Sequence, residues 1–226
     1  MQYRNVKRGI FLSRPNRFIA EVEIDGKREI CHVKNTGRCR ELLVPGATVI
    51  LERSEVGTRK TAYDLVAVYK GSLLINMDSQ APNRVFGEWA GETDFFGRVS
   101  LLKPEYTYLH SRFDFYLEAE GRQILVEVKG VTLERDGVLL FPDAPTERGV
   151  RHLRELTQAV AAGLEAHVFF ILQVEDCRYF TPNAETHPAF AQALREAKAG
   201  GVGIHAFTCT VKEDALFIKD EVPVVL

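Results

Sequence analysis

The stretch Ser111-Arg112-Phe113-Asp114-Phe115-Tyr116-Leu117-Glu118-Ala119, Glu120-Gly121-Arg122-Gln123, Ile124-Leu125-Val126-Glu127-Val128-Lys129 decides the fold. Two runs rich in aromatic and β-branched residues flank a glycine turn, the pattern of an antiparallel hairpin with strands at 111–119 and 123–129. Side chains alternate across a strand, so Glu127 and Lys129 leave one face while Val126 and Val128 bury on the other. By the same rule Arg112, Asp114 and Tyr116 share a face opposite Phe113 and Phe115. With Glu120-Gly121-Arg122 as the turn, Asp114 lies beside Glu127. Two adjacent carboxylates suit a hard divalent cation, Mg²⁺ or Mn²⁺, which prefers oxygen ligands and keeps several waters. Lys129 would then orient a water and stabilise developing phosphate charge. Asp114, Glu127 and Lys129 are thus the candidate catalytic set of a metal-dependent phosphodiesterase. On spacing alone the same charges also fit the solvated face of an amphipathic hairpin. The apolar neighbours Leu125, Val126 and Val128 favour a central strand, where charges are costly unless paired or metal-bound.

The chain has 226 residues, 46% of them hydrophobic, enough to bury a sizeable core in one large or two small domains. No apolar run approaches the roughly 20 residues of a membrane span, and the start MQYRNVKRGIF lacks the apolar core of a signal peptide. A cytoplasmic protein without a membrane partner is expected. Cys31, Cys39, Cys177 and Cys209 form no C-x-x-C pair, which argues against a zinc site or a disulfide scaffold. The net charge of −2 hides an asymmetry. Residues 1–80 carry 14 Lys and Arg against 9 Asp and Glu, and residues 81–226 carry 15 against 22. A basic first module is what a phosphate backbone would favour.

That first module reads as short strands at 9–12, 17–24, 27–33, 48–53 and 61–69, the last continued at 72–78. Asp25-Gly26 and Pro45-Gly46 mark turns. Five strands in so short a span suggest an OB-like barrel over residues 1–80. Exposed aromatics and basic residues on such a barrel favour single-stranded or structure-selective nucleic acid. Arg14, Arg17, Phe18, Lys34, Arg38 and Arg40 are the candidates for that surface, although each charge also fits ordinary solvation and Phe18 also fits a core. No helix-turn-helix stands out.

From residue 81 to 226 the pattern becomes α/β (α+β). A helix at 79–92 holds Trp89, expected as a packing anchor between the lobes. Strands follow at 111–119, 123–129 and 138–141, then a helix at 145–164 on which Val150, Leu153, Leu156 and Val160 recur at helical spacing. A buried strand at 167–174, a helix at 188–199 ended by Gly200-Gly201, and a strand at 204–211 complete a mixed sheet flanked by helices. Asp143 or Thr146 can cap the long helix, with Pro145 and Glu147 in its first turn. Arg148, Arg151, His152 and Arg154 follow, expected to turn toward an anionic ligand. Arg148 and His152 join the nucleic-acid candidates, although His152 equally suits a surface or core position. Pro142-Asp143 lies after Glu127-Val128-Lys129, so Asp114 is the better first carboxylate.

Several blocks in order give the chain a resemblance to the sugar fermentation stimulation protein A family. They are Asn35-Thr36-Gly37-Arg38 with Glu41-Leu42, Pro45-Gly46, Arg59-Lys60-Thr61, Pro82-Asn83-Arg84, Ser111-Arg112-Phe113-Asp114-Phe115, Glu127-Val128-Lys129 with Val131-Thr132-Leu133, Phe141-Pro142-Asp143-Ala144, Thr146-Glu147-Arg148-Gly149 and His152-Leu153. The chain departs from the family at Lys34, where proline is usual, and at Cys39, a frequent methionine. The resemblance implies an OB-type first domain and a restriction-endonuclease-like second domain similar to PD-(D/E)XK nucleases, with DNA as the bound partner. It also implies the metal and lysine roles for Asp114, Glu127 and Lys129, with Glu105 as an additional upstream acid. The leading expectation is a DNA-binding protein with a Mg²⁺- or Mn²⁺-dependent nuclease site. Two others stay open: a non-cleaving DNA-binding regulator of sugar metabolism genes, and a hydrolase of a small phosphorylated substrate. The sequence leaves the oligomeric state open, a homodimer included.

Overall fold

Alternation builds the first lobe. In the computed structural model, which describes residues 1–35, 37–54 and 60–226, strands β1 (Val6–Asn16), β2 (Ile19–Ile24), β3 (Lys27–Val33), β4 (Thr48–Arg53) and β5 (Tyr63–Lys70) roll into a barrel, and β6 (Leu73–Asn76) pairs with β5. Ala20, Val22 and Ile24 point inward while Glu23 stays out. Asp25 and Gly26 both take positive φ, 52° and 74°, the tight hairpin turn that Asp-Gly favours. The sheet order β3-β2-β1-β4-β5 closes through a parallel pairing of β3 with β5, at His32↔Asp64 and Val33↔Leu65. This is a closed five-stranded barrel of OB type. Its first strand is longer than the four residues expected, because register shifts near Ser13 bend it so that it serves both β2 and β4.

The second lobe is a mixed sheet between helices. After α1 (Ala81–Ala90) come β7 (Val99–Tyr108), β8 (Ser111–Ala119), β9 (Arg122–Val131), β10 (Leu133–Arg135) and β11 (Val138–Phe141). Then follow α2 (Glu147–Ala161), β12 (Glu165–Leu172), β13 (Tyr179–Pro182), α3 (Pro188–Ala199), β14 (Gly203–Lys212) and β15 (Ala215–Glu221). The main sheet runs β15-β14-β12-β9-β8-β7, parallel among β14, β12 and β9 and antiparallel at both margins. One core packs Val150, Leu153 and Leu156 of α2 and Phe190 and Leu194 of α3 over Phe113, Leu125, Val168 and Phe170. The other packs Val85 and Phe86 of α1 under Phe115, Val126, Val128 and Phe169.

Three expectations change. Residues 138–141 leave the main sheet and join β10 and β13 in a separate three-stranded sheet. The place beside β9 is already filled by β12 over eight residue pairs. The unforeseen β7 is an edge strand, exposed at Ser100, Lys103 and Glu105 and carrying Pro104, so it has neither the alternation nor the composition of an inner strand. Trp89 packs on Phe207, Phe95 and Phe169 at 5.1, 5.6 and 5.8 Å, fixing α1 to its own sheet and not to the barrel. The two apolar clusters run on into the barrel, one through Leu42, Leu65 and Met77 and the other through Ile50, Val66 and Ala67, and polar groups add to that contact. Gln173 donates to Asn76 Oδ1 at 2.8 Å and to the Asp78 carbonyl at 3.0 Å, and Lys70 reaches Glu134. Among the described residues no helix is long and apolar enough to cross a membrane.

Candidate metal and nucleic-acid site

Strands β8 and β9 pair from Ala119↔Arg122 to Phe115↔Val126, across a turn in which Glu120 and Gly121 have φ of 51° and 78°. The ladder ends there. At the next rung Asp114 Oδ2 accepts the Val128 N–H at 2.8 Å, and Oδ1 accepts from Asn83 Nδ2 of α1 at 2.7 Å. A side-chain carboxylate thus takes a backbone donor that a regular ladder would leave to a carbonyl. Alternation breaks at this point. Phe113 and Phe115, expected on one face, lie on opposite faces: Phe113 is 5.4 Å from the His152 ring under α2, and Phe115 is 5.0 Å from Phe86 of α1. On β7 the residue between Pro104↔Phe115 and Tyr106↔Phe113 is Glu105, whose φ is 55°, so both strands are distorted at one rung and the register survives.

Glu127 is 2% exposed and faces α2. Its Oε1 meets Lys129 Nζ and lies 2.6 Å from His152 Nδ1, close but out of line for a full hydrogen bond. Arg148 Nε donates to His152 Nε2 at 3.2 Å. A guanidinium only donates, so Nε2 is the acceptor and the ring proton sits on Nδ1, toward Glu127. Glu127 Oε2 is buried and has no hydrogen-bond partner. The two carboxylates titrate apart. Burial and then the Glu127 charge push Asp114 above the usual carboxylate range, against Lys129, the Val128 N–H and Asn83. Burial raises Glu127 too, but Lys129 and His152 outweigh it and hold Glu127 below that range. A buried carboxylate oxygen without a donor is costly. Next to a second carboxylate, it is a donor set suited to a hard divalent cation that keeps waters in its other positions.

The other candidate residues divide sharply. Glu105 is placed beside Asp114 by register, yet its carboxylate is exposed and turns to Arg112 at 3.6 Å. Among the described residues no three His, Cys, Asp or Glu side chains gather as a metal cage. Arg14 is spent internally, donating to the carbonyls of Arg17, Asn35, Gly37 and Arg38 at 2.7–2.9 Å, so it shapes the loop and is not offered to a phosphate. Lys34 is likewise taken up, 2.8 Å from Asp78. Arg17, Arg38 and Arg40 are exposed and line, with the internally bonded Arg14 and with Asn16, Gly37, Leu43 and Ala144, an open groove of about 490 Å³. Phe18 is 46% exposed, with the Arg17 guanidinium 5.1 Å from its ring, and is therefore no core residue. His152 lies on the buried side of α2 while Arg148, Arg151 and Arg154 are exposed, so the four do not present one face, and His152 belongs to the carboxylate site.

A second cavity, about 290 Å³, opens between the lobes and is lined by Asn35, Gly37, Ser79, Gly130, Asp143 and Gln173 among others. Gly37 is required here, since a Cβ would come within 2.8 Å of both Asn35 Oδ1 and Asp143 Oδ2. Thr36 and Arg59, named above in the sequence blocks, lie outside the described residues. Sequence reasoning gave Asn83 and Glu155 no role. Asn83 shows itself only through its bond to Asp114. Glu155 is buried on α2 with Oε2 unpartnered, and its signal was a charge three residues after His152 on an otherwise apolar helix face. The cysteines carry no disulfide, and burial pushes their thiols up, Cys177 to about 11 and Cys31 and Cys39 to about 12.

An OB-type barrel joined to a mixed sheet that sets a buried carboxylate, Glu127, beside a half-buried one, Asp114, defines a two-lobed class of protein. Residues 12–77 match the family model described as the SfsA N-terminal OB domain, and residues 80–215 match the sugar fermentation stimulation protein RE domain. The chain belongs to the sugar fermentation stimulation protein family. It is 62% identical to a sugar fermentation stimulation protein homolog of Desulfitobacterium hafniense (strain DSM 10664 / DCB-2), over 100% of this chain and 99% of that one. It is 52% identical to a homolog of Clostridium beijerinckii, over the whole of both. A solved structure, Pyrococcus furiosus SfsA in complex with Ca²⁺, superposes with a TM-score of 0.89 at 27% identity, covering 100% of this chain and 98% of that one.

Proposed function

We propose that this protein binds nucleic acid, DNA in the first place, and hydrolyses phosphodiesters at the Asp114–Glu127–Lys129 site with Mg²⁺ or Mn²⁺. The observation that carries the reading is the buried, unpartnered Oε2 of Glu127 beside Asp114, in a place that one cation would neutralise. The Ca²⁺ complex of the Pyrococcus furiosus relative supports a hard-cation preference. Asp114 and Glu127 would hold the ion. A bound divalent cation would draw charge from the scissile phosphate and make a nearby water more acidic. Lys129, anchored on Glu127, supplies a cation for the negative charge that builds on the phosphate. His152, with its Nδ1 proton toward Glu127, fixes that carboxylate, and Arg148 fixes the ring in turn. Phosphates entering along the barrel would meet Arg17, Arg38 and Arg40, with Phe18 as a stacking surface.

A non-cleaving DNA-binding protein is the second reading, favoured by one observation: Glu105 turns to Arg112 and leaves two carboxylates where a third was expected. The deciding experiment incubates purified protein with single-stranded, duplex and branched DNA and RNA, with Mg²⁺, Mn²⁺ or a chelator. Divalent-dependent cleavage abolished in Glu127→Gln supports the first reading. Tight binding without any cleavage selects the second.

A further inference from the structure

On the opposite face of the main sheet from Glu127, parallel pairing of β12 with β14 sets His167 beside Gly203 and Phe169 beside His205. Each imidazole is tied by one nitrogen to a carboxylate. His167 Nε2 is 2.8 Å from Glu165 Oε1, and His205 Nδ1 is 2.9 Å from Glu221 Oε1. Glu165 is further held in an ion pair with Arg122 at 2.6 Å. An ionised carboxylate only accepts, so these outer nitrogens carry the ring protons. The inner nitrogens, His167 Nδ1 and His205 Nε2, then face each other at 3.1 Å with two lone pairs. A proton carried on one of them, or a metal ion held by both, satisfies that arrangement.

We propose that His167 and His205 form a binding site for a transition-metal dication of the zinc, nickel and copper class, distinct from the hard-cation site at Asp114 and Glu127. Four features agree. Two nitrogens bound to one tetrahedral zinc at 2.0–2.1 Å stand about 3.3 Å apart, close to the separation here. The carboxylate on the far nitrogen of each ring is the outer support that metal-bound histidines ordinarily have. A Cβ on Gly203 would fall against His167 Nδ1 and 2.8 Å from His205 Nε2, so the glycine leaves open the volume at which both nitrogens aim. Phe95 stands edge-on over the pair, 5.0 Å from His205 and 6.3 Å from His167, and shields the metal–nitrogen bonds. Among the described residues no further His, Cys, Asp or Glu converges, so water completes the coordination and the ion is exchangeable. Once bound, it ties the first residues of β12 to those of β14.

The test is calorimetric titration of Ni²⁺ or Zn²⁺ into the full chain already saturated with Mg²⁺. One equivalent is expected to bind, unchanged in Asp114→Asn and weakened at least tenfold in His205→Gln. Electron paramagnetic resonance of the Cu²⁺ form should show two equivalent nitrogens in the wild type and one or none in the variant. Gly203→Ala keeps both rings and fills the space. With a metal-free melt showing that it is folded, it should lose the ion as well, and it stands in should His205→Gln not fold. Absence of binding to the wild type, or equal binding in His205→Gln and Gly203→Ala, overturns the site and leaves a proton joining the rings.

Discussion

The two faces of the central sheet carry the same kinds of side chain in opposite roles. On the α2 face carboxylates are innermost: Glu127 keeps one oxygen unpartnered, and His152 serves it. On the α1 face imidazoles are innermost, and Glu165 and Glu221 serve them. On the two proposals above, the atom left without a donor would select the cation, oxygen for Mg²⁺ or Mn²⁺ and nitrogen for zinc or nickel. A residue count of acids and histidines cannot tell the two apart. The pairing of β12 with β9 on one side and β14 on the other makes the distinction.

The largest effect should come from the oxygen side. Asp114→Asn and Glu127→Gln are each expected to lower divalent-dependent cleavage by roughly a hundredfold or more, as for a preorganised electrostatic group. Lys129→Ala should cost a similar factor in turnover and little in binding, because its charge opposes one that exists only in the transition state. Single-turnover cleavage with separately measured affinity checks this. Full activity in all three variants would remove the functional difference between the two faces.

Next is cation selectivity read by melting. At a hundred times its Kd, Mn²⁺ should stabilise the wild type by about 2.7 kcal/mol, some 5–10 °C for a chain of this size, and should not stabilise Asp114→Asn. Without divalent ions the carboxylates should part in sign. Asp114 titrates above its unfolded value, so the stability linked to it is complete below that value and is lost as pH rises through the folded pKa. Glu127 titrates below its unfolded value, so its contribution is present above that value and lost as pH falls through the folded pKa. At neutral pH, therefore, metal-free Asp114→Asn should melt no lower than the wild type and Glu127→Gln should melt lower. Equal losses would mean that the two acids share one environment.

The barrel supplies a smaller contrast of the same form, between charges already used and charges still available. Arg14→Ala leaves four carbonyls without their donor and should destabilise the fold by about 1–3 kcal/mol. Arg17→Ala, Arg38→Ala and Arg40→Ala should leave the melt nearly unchanged. Each should reduce the slope of log affinity against log salt by about 0.7–0.9, one phosphate contact. A fall in slope for Arg14→Ala without a fall in stability would reverse that division.

Much of this was legible in the sequence, and the failures have physical causes. The barrel strands, the 111–129 hairpin and α2 follow from alternation, glycine turns and helical spacing, all local. The hairpin does bring Asp114 and Glu127 together, but its turn is Glu120-Gly121 alone and Arg122 already pairs with Ala119, one residue fewer than the turn read from the sequence. The break in alternation at Asp114 could not be read, since it depends on that carboxylate taking the Val128 N–H and on a matching distortion at Glu105. Nor could the separation of Arg14 and Lys34 from Arg17, Arg38 and Arg40, because their partners Asn35 and Asp78 lie 21 and 44 positions further along the chain. The histidine pair was invisible for the same reason: 38 residues separate His167 from His205.

The smallest expected effect belongs to a carboxylate with no unpartnered oxygen, which makes it the control for both faces. Glu134 accepts from Gly137 N–H through Oε1 and from Lys70 Nζ through Oε2 at 2.5 Å, tying the barrel to the β10–β11 hairpin. Burial raises Glu134, but Lys70 and the Gly137 N–H outweigh it and hold its titration below the ordinary 4.5. The contribution is thus present above that value and lost as pH falls through the folded pKa. Lys70 is about a third exposed, so screening limits the pair to about 0.2–1 kcal/mol. Lys70→Met should therefore lower stability by no more than that at pH 7 in low salt, and the deficit should shrink in high salt and vanish in acid once Glu134 is protonated. Because every Glu134 oxygen is already partnered, neither Mn²⁺ nor Zn²⁺ should change the difference between Lys70→Met and wild type. A cation-dependent difference would show that an unpartnered atom is not what marks the other two sites.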